Sequence, residues 1–475
     1  MVKPGSIFLL TALLLVAACV REDPEPVQDP VPEVMTLSAT SFEAPAEGAT
    51  LSLTVTSPVR PKISGAPGWI DLPDGTFNKY KITYTFTVRK STALTPREAV
   101  ITVSAKGLSD QSFTVKQAAA EPEPEPTPPE PVEDPDGWEN AAAAVLNMRT
   151  GWNLGNTLDT CGDWLDGQSV SRFETGWGQP ITTPALMQMF ADAGFGAIRV
   201  PVTWYQHMNA NGMVDKEWMD RVEEVANYVL DTGMYCILNV HHDTGTEGWL
   251  RADAGVYSST RIRFITLWRQ IAERFKDYGP KLLFESFNEM LDANNSWNEP
   301  KSATSYTYID NYNQDFVDAV RGTGGNNSRR NLVVNDYCAS SVAKAFQAMT
   351  IPRDSAENHI IAEFHSYSPY MFAMYEGAGA IETWSNATQK EVQDQIKAIA
   401  ALASSKGVPF IIGEYGATAA RAEAEIAKQC KCYVETCKQY GGACFCWMLL
   451  SDGADRSVPK WTKPLIKDAI IRASR

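Results

Sequence analysis

The stretch Leu282-Leu283-Phe284-Glu285-Ser286-Phe287-Asn288-Glu289 decides the architecture. A short apolar run breaks off into two polar residues, the pattern of a buried parallel strand whose carboxyl end opens into a site. Pro409-Phe410-Ile411-Ile412-Gly413-Glu414 has the same form. Two glutamates closing two buried strands, far apart in sequence, suggest a carboxylate pair at the mouth of an α/β barrel. Either one alone could equally be a solvated charge at a strand end.

Working outward, similar apolar runs fall at residues 150–153, 197–200, 235–240, 331–335, 360–364 and 443–447. Amphipathic helices separate them. In 216–231, Trp218, Val222, Val225, Ala226 and Val229 form one apolar face, and 260–278 is a second such helix. Eight strands alternating with helices predict a (β/α)8 TIM barrel over residues 137–475 rather than a doubly wound sheet. No G-x-G-x-x-G or P-loop follows the early strands, which argues against nucleotide binding.

Before the barrel the period changes to two. Ile82, Tyr84, Phe86 and Val88 alternate with Thr83, Thr85 and Thr87, and Ile101, Val103, Phe113 and Val115 continue the pattern. Residues 35–119 therefore predict a small immunoglobulin-like β-sandwich. Residues 120–136 form a Glu/Pro linker and 19–34 an acidic, proline-rich spacer, both extended. The formal charge of −15 resides mostly there, net −4 over residues 21–34 and net −7 over 120–136. The folded parts are close to neutral and offer no basic footprint for nucleic acid. Residues 1–18 are a targeting segment: Lys3 precedes an apolar run of about twelve residues, too short to span a bilayer.

Three resemblances attach to these parts. Val16-Ala17-Ala18-Cys19 resembles a bacterial lipobox, which implies diacylation of Cys19 and a membrane anchor; a conventional signal peptide with an incidental Cys is the alternative. The acidic run that follows resembles the signal that carries some lipoproteins to the outer face of the outer membrane. The sandwich resembles the BACON domain through Trp69-Ile70 and Phe113-Thr114-Val115-Lys116-Gln117. That name implies glycan binding, but no exposed aromatic row is evident, so Trp69 reads as core and the module as a spacer. The eight other cysteines (161, 236, 338, 430, 432, 437, 444 and 446) form no zinc pattern and read as free core thiols with at most one bridge.

The residues at the strand ends form a polar set: Asn153 and Asn156, Arg199, Asn239 with His241 and His242, Asn288 with Glu289, His365 with Tyr367, Glu414, and Trp447. Glycosidic cleavage needs an acid to protonate the leaving oxygen and a carboxylate to attack the anomeric carbon or activate water. Arg199 and Tyr367 could keep Glu414 ionised, Asn288 could bind a sugar hydroxyl, and Trp447 could face a pyranose ring. Each has a plainer reading: Arg199 as a salt-bridge partner, Trp447 as core, His241 and His242 as a metal pair. Adjacent strand residues point to opposite faces, which argues against that pair holding one ion. His359 reads as structural and His207 is undecided.

Several motifs together resemble glycoside hydrolase family five, subfamily four. They are Gly151-Trp152-Asn153-Leu154-Gly155-Asn156-Thr157-Leu158-Asp159, Glu174-Thr175-Gly176-Trp177-Gly178, Ile198-Arg199-Val200-Pro201, Asn239-Val240-His241-His242, Asn288-Glu289, His365-Ser366-Tyr367 and Gly413-Glu414-Tyr415-Gly416. The resemblance implies a retaining endo-β-1,4-glucanase without metal or cofactor. Glu289 would be acid/base and Glu414 nucleophile, with Asn153, Arg199, His241, His242, Asn288, His365, Tyr367 and Trp447 binding substrate. Met290 departs from the proline that often follows the acid/base. The implied substrate is a β-1,4-glucan, xyloglucan first, cut by a monomer at the cell surface; cellulose and mixed-linkage glucan are alternatives. Trp177, Trp204, Trp249, Trp297 and Trp384 are candidate sugar platforms. A surface lipoprotein that captures glycan without cutting it is the competing class.

Overall fold

Alternating and continuous apolar runs sort the chain into two separately packed units. The computed structural model describes residues 30–121, 126–132, 137–447 and 453–475. The segment read as a targeting signal, Cys19 and most of the acidic spacer lie outside the described residues.

The first unit is a sandwich of two four-stranded sheets. One holds Thr36–Leu37, Ala49–Thr56, Lys81–Val88 and Ile70–Asp71, and the other Ser41–Ala44, Gln111–Gln117, Arg97–Ser104 and Lys62–Ser64. In Lys81–Val88, Ile82, Tyr84, Phe86 and Val88 are buried and the residues between them exposed, as a strand pleated over a single core requires. Trp69 packs partly buried against that core, with the Arg97 guanidinium 4.4 Å from its ring centroid.

The second unit is a closed barrel of eight parallel strands: β1 (Thr150–Asn153), β2 (Ala197–Val200), β3 (Tyr235–Asn239), β4 (Leu282–Glu285), β5 (Leu332–Asn335), β6 (Ile360–Ser366), β7 (Phe410–Tyr415) and β8 (Ala443–Cys446). Helices cover it from outside. Lys216–Leu230 buries Trp218, Met219, Val222, Val225, Ala226 and Val229.

Period two stacks the interior in layers. Ala197, Ile237, Leu283, Val333, Ile361, Ile411, Ala443 and Phe445 make an apolar floor. Two positions further along the strands come Arg199, Asn239, Glu285, Asn335 and Glu363, a fully buried polar layer. The barrel mouth lies above it. Between β6 and β7 the register slips: Phe364 pairs with Ile412, but His365 pairs with Glu414, so Gly413 is bulged. The bulge offsets the alternation by one residue.

Residues 126–132 of the Glu/Pro stretch lie against the second unit. Asn140, which caps the helix Ala141–Met148, accepts from Val132 N at 3.0 Å and donates to the Glu130 carbonyl at 2.8 Å. Ser404 Oγ donates to the Thr127 carbonyl at 2.7 Å. Proline-rich backbone has carbonyls without internal partners, and these contacts satisfy some of them. All eight described cysteines are free, and only Cys161 among them is not buried.

Candidate active site

Glu289 and Glu414 meet above the polar layer. One carboxylate oxygen of each and a ring nitrogen of His365 lie within 4.8 Å of one another. His365 Nδ1 is 2.9 Å from Glu289 Oε1 and 3.6 Å from Glu414 Oε2. Both carboxylates border a cavity of about 700 Å³, lined also by His241, His242, Asn288, His365, Tyr367 and Trp447.

Arg199 sits beneath. Its five N–H groups reach Glu285 (Nε, 2.6 Å, and Nη2, 2.8 Å), Asn153 and Glu414 (Nη1, 2.9 and 2.8 Å), and Asn288 (Nη2, 2.9 Å). Accepting from Arg199 fixes the Asn288 amide with Oδ1 toward the guanidinium, so its Nδ2 is the donor available to the cavity. Asn153 Nδ2 donates to the Gly413 carbonyl at 2.9 Å. Asn153 and Arg199, expected to face sugar, therefore hold the bulge and the carboxylates from below and do not line the cavity.

The electrostatics separate the groups. Burial raises the Glu414 pKa, but the charges of His365 and Arg199 and donation from Tyr367 Oη at 2.8 Å outweigh it, and the carboxyl is held below its ordinary value. Burial also depresses His365, yet Glu414, Glu289 and Glu363 together lift it to about 10, which favours the charged ring. His241 is the opposite case. Burial, with the neighbouring His242 and Arg199, drives it well below its ordinary value. Neutral His241 receives Asn239 Nδ2 at its Nδ1, 3.0 Å away, which leaves Nε2–H as donor. Its ring lies parallel to Trp447, 5.8 Å between centroids, and a Cβ on Gly155 would strike the Trp447 ring at 2.5 Å.

His241 and His242 do share a cavity, contrary to the expectation from strand alternation. β3 ends at Asn239, so both lie in the turn beyond it, with rings 4.5 Å apart. With Asp159 they bring three ligand atoms within 4.8 Å, as do Glu289, His365 and Glu414. Asp159 already accepts from Asn156 N and Thr157 N, and the second group is hydrogen-bonded within itself, so neither needs an ion to satisfy it.

Of the candidate platforms, Trp204 and Trp384 are core. Trp249 is partly buried and bonds Asp243, and Trp177 stands 5.3 Å from the His242 ring. Trp297 alone of the five lines the cavity, half exposed. Tyr370, more exposed still, lines it too and was not anticipated; it follows Tyr367 by three residues on the β6 loop. Glu285 and Glu363 were also missed, although a charged residue inside an apolar strand run signals a buried polar layer. His207 is stacked on Trp218 at 3.5 Å, and His359 bonds Asn331; both are structural.

The chain is similar to known proteins over both units. Residues 159–453 match the model of the cellulase family (glycosyl hydrolase family 5), and residues 61–118 match that of BACON. Endoglucanase A of Clostridium longisporum is 35% identical over 346 residues, 70% of this chain and 66% of that protein, so the chain spans just under two thirds of that relative. A xyloglucan-specific endo-beta-1,4-glucanase of Bacteroides ovatus is 32% identical over 394 residues, 80% of this chain and 76% of that one. The crystal structure of a glycoside hydrolase family 5 enzyme from Prevotella bryantii, a mutant in complex with a xyloglucan tetradecasaccharide, superposes with a TM-score of 0.67 and 40% identity over 71% of this chain and 99% of that one. A barrel with this carboxylate pair and a family match across most of it make the chain a glycoside hydrolase, a member of glycosyl hydrolase family 5 that carries a BACON domain ahead of its barrel.

Proposed function

We propose that the chain is a retaining endo-β-1,4-glucanase that cuts the backbone of xyloglucan at the cell surface. The observation that carries the reading is the approach of Glu289 and Glu414 oxygens to within 4.8 Å. Retaining enzymes hold their carboxyl groups about 5–5.5 Å apart, whereas inverting ones leave room for a water between them. Glu414, kept ionised by Arg199, His365 and Tyr367, attacks the anomeric carbon while Glu289 gives its proton to the leaving oxygen. A glycosyl ester on Glu414 results. Glu289, now a base, takes a proton from water as that water attacks the same carbon, and Glu414 is released. Asn288 Nδ2 and His241 Nε2 donate toward the sugar bound at the pair, and Trp447 supplies its apolar wall.

Substrate choice draws support from two of the relatives, one xyloglucan-specific by name and one crystallised with a xyloglucan oligosaccharide. The cavity is also lined by Trp297 and Tyr370, exposed aromatic rings suited to further sugar units of a polymer. The lipobox-like sequence at Cys19 supports anchoring at the outer membrane.

Glu289→Ala tests the reading. General acid catalysis contributes about 10²–10⁴-fold, and a loss of that size on xyloglucan is expected, with oligosaccharide binding retained. Undiminished release of reducing sugar by the variant would overturn the assignment. Early product with the β anomeric configuration is expected by NMR, and a panel of xyloglucan, mixed-linkage glucan and cellulose ranks the substrates. Binding without release from any of them would favour a capture protein.

A further inference from the structure

The double displacement employs Glu289 and Glu414 and leaves a third carboxylate beneath them without a role. Glu363, in the polar layer on β6, is fully buried. Its Oε1 lies 3.3 Å from His365 Nε2 and 3.5 Å from Arg199 Nε. Its Oε2 is buried with no hydrogen-bond partner among the described residues. An unsatisfied carboxyl oxygen is costly inside a protein. The backbone is nevertheless shaped to admit this one, since a Cβ on Gly413 would lie 1.5 Å from Glu363 Oε1.

Charged groups approach Glu363 from several strands: Arg199 from β2, Glu285 from β4, Asp336 just beyond β5, and His365 on β6 itself. Glu414, on β7, joins through Arg199 and His365. Burial pushes Asp336 strongly toward its neutral form. Arg199 and His365 are two cations, balanced by Glu285 and Glu414. Glu289 and Glu363 remain, bridged by the two nitrogens of one imidazolium. Ionising both would leave two charges without a matching cation, Glu363 fully buried and Glu289 only 21% exposed, so one proton stays on the pair.

We propose that Glu289 and Glu363 share one proton across His365, which makes Glu363 a positioning residue that extends upward the pH range over which Glu289 keeps the proton it must donate. The proposal rests on Glu289 being the acid/base. Burial and the nearby Glu285 charge raise the Glu363 pKa to about 7 against the opposing pull of Arg199 and His365, so this carboxyl can hold a proton near neutrality.

The test is kcat/KM on xyloglucan against pH. In Glu363→Gln the cluster has one negative charge fewer, Glu289 ionises sooner, and the alkaline midpoint is expected to fall by about one pH unit. Glu363→Asp, which restores the charge, should return that midpoint toward the native value. An alkaline midpoint that stays put in Glu363→Gln, or moves as far in Glu363→Asp, overturns the proposal, because a purely structural role lowers rate without moving the profile. Should Glu363→Gln fail to fold, the native protein still decides. With ¹⁵N-labelled histidine, of which the chain has five, His365 should show both nitrogens protonated through neutral pH, and a neutral ring there overturns the proposal. A chain inactive on every β-glucan would instead sink the hydrolase reading, leaving the histidine spectrum as the readout for Glu363.

Discussion

Arg199 has five N–H donors, all of them engaged, and no exposed surface. Such a group is tolerated inside a barrel only because every donor finds an acceptor and two carboxylates balance the charge. Arg199→Lys keeps the charge but replaces a planar fork with a single ammonium, stranding part of Glu285, Asn153 or Asn288. Leaving a buried polar group unsatisfied costs about 1–3 kcal/mol, and a loss of that order in unfolding free energy is expected from urea titration. Tyr367→Phe probes a narrower effect. Glu414 is held below its ordinary pKa partly by the Tyr367 hydroxyl, so removing the donor raises that pKa. The nucleophile then loses its charge at higher pH, and the acidic limb of kcat/KM should move up by roughly one pH unit, the equivalent of one hydrogen bond to a charged group. An unmoved acidic limb would mean that Arg199 and His365 alone set the charge. At this scale much of the site is legible in the sequence, because the strand-end pattern places a polar residue wherever an apolar run stops. Depth is not legible: Asn153 and Arg199 belong one layer below the mouth, and only strand registers reveal it.

Among the elements, β7 shows most clearly what an apolar run conceals. Strict alternation would turn Ile411 and Gly413 inward and Glu414 outward, away from the barrel. The bulge at Gly413 reverses this and lets Glu414 pair with His365 at the mouth. Nothing in Ile411-Ile412-Gly413-Glu414 announces a bulge beyond the glycine itself, which has another meaning here: its missing Cβ is the space the Glu363 carboxyl fills. Gly413→Ala should therefore lower the melting temperature, with an overpacking cost of about 1–3 kcal/mol. Combining it with Glu363→Ala should recover part of that loss, since the clash is with the Glu363 side chain; purely additive losses would place the strain in the backbone instead. The loops after β4 and β6 are a separate case. Trp297 and Tyr370 line the cavity from the segments after β4 and β6, Trp297 on the same connection as Glu289. Trp297→Ala should raise KM on polymer, yet leave hydrolysis of an aryl cellobioside, whose leaving group is a small phenol, almost unchanged. Equal losses on both substrates would place Trp297 on the other side of the cleaved bond. Barrel strands were readable because burial constrains them. Loop aromatics were not, since the same residue type serves the core at Trp204 and the cavity at Trp297.

Across the whole molecule, the two units keep separate cores. The sandwich closes on Phe86, Phe113 and their neighbours, and none of its buried residues belongs to the barrel clusters. Among the described residues, every group lining the cavity of the carboxylate pair comes from the barrel unit. A unit with its own core can fold alone, so a chain beginning near residue 126, which keeps the docked 126–132 segment, should hydrolyse soluble xyloglucan oligosaccharide within about twofold of the full chain. The N-terminal part is expected to change place, not chemistry. If Cys19 carries lipid, Cys19→Ala should lose incorporation of labelled palmitate and leave the membrane fraction while its kcat/KM in detergent extract stays the same. One acyl chain binds a membrane only marginally, whereas the diacylated cysteine of a lipoprotein anchors stably, so the shift in fractionation should be nearly complete. An unlabelled native protein found free of membranes would make Cys19 incidental and the targeting segment an ordinary secretion signal. The hydrolase would then meet its polymer by diffusion rather than at the cell surface.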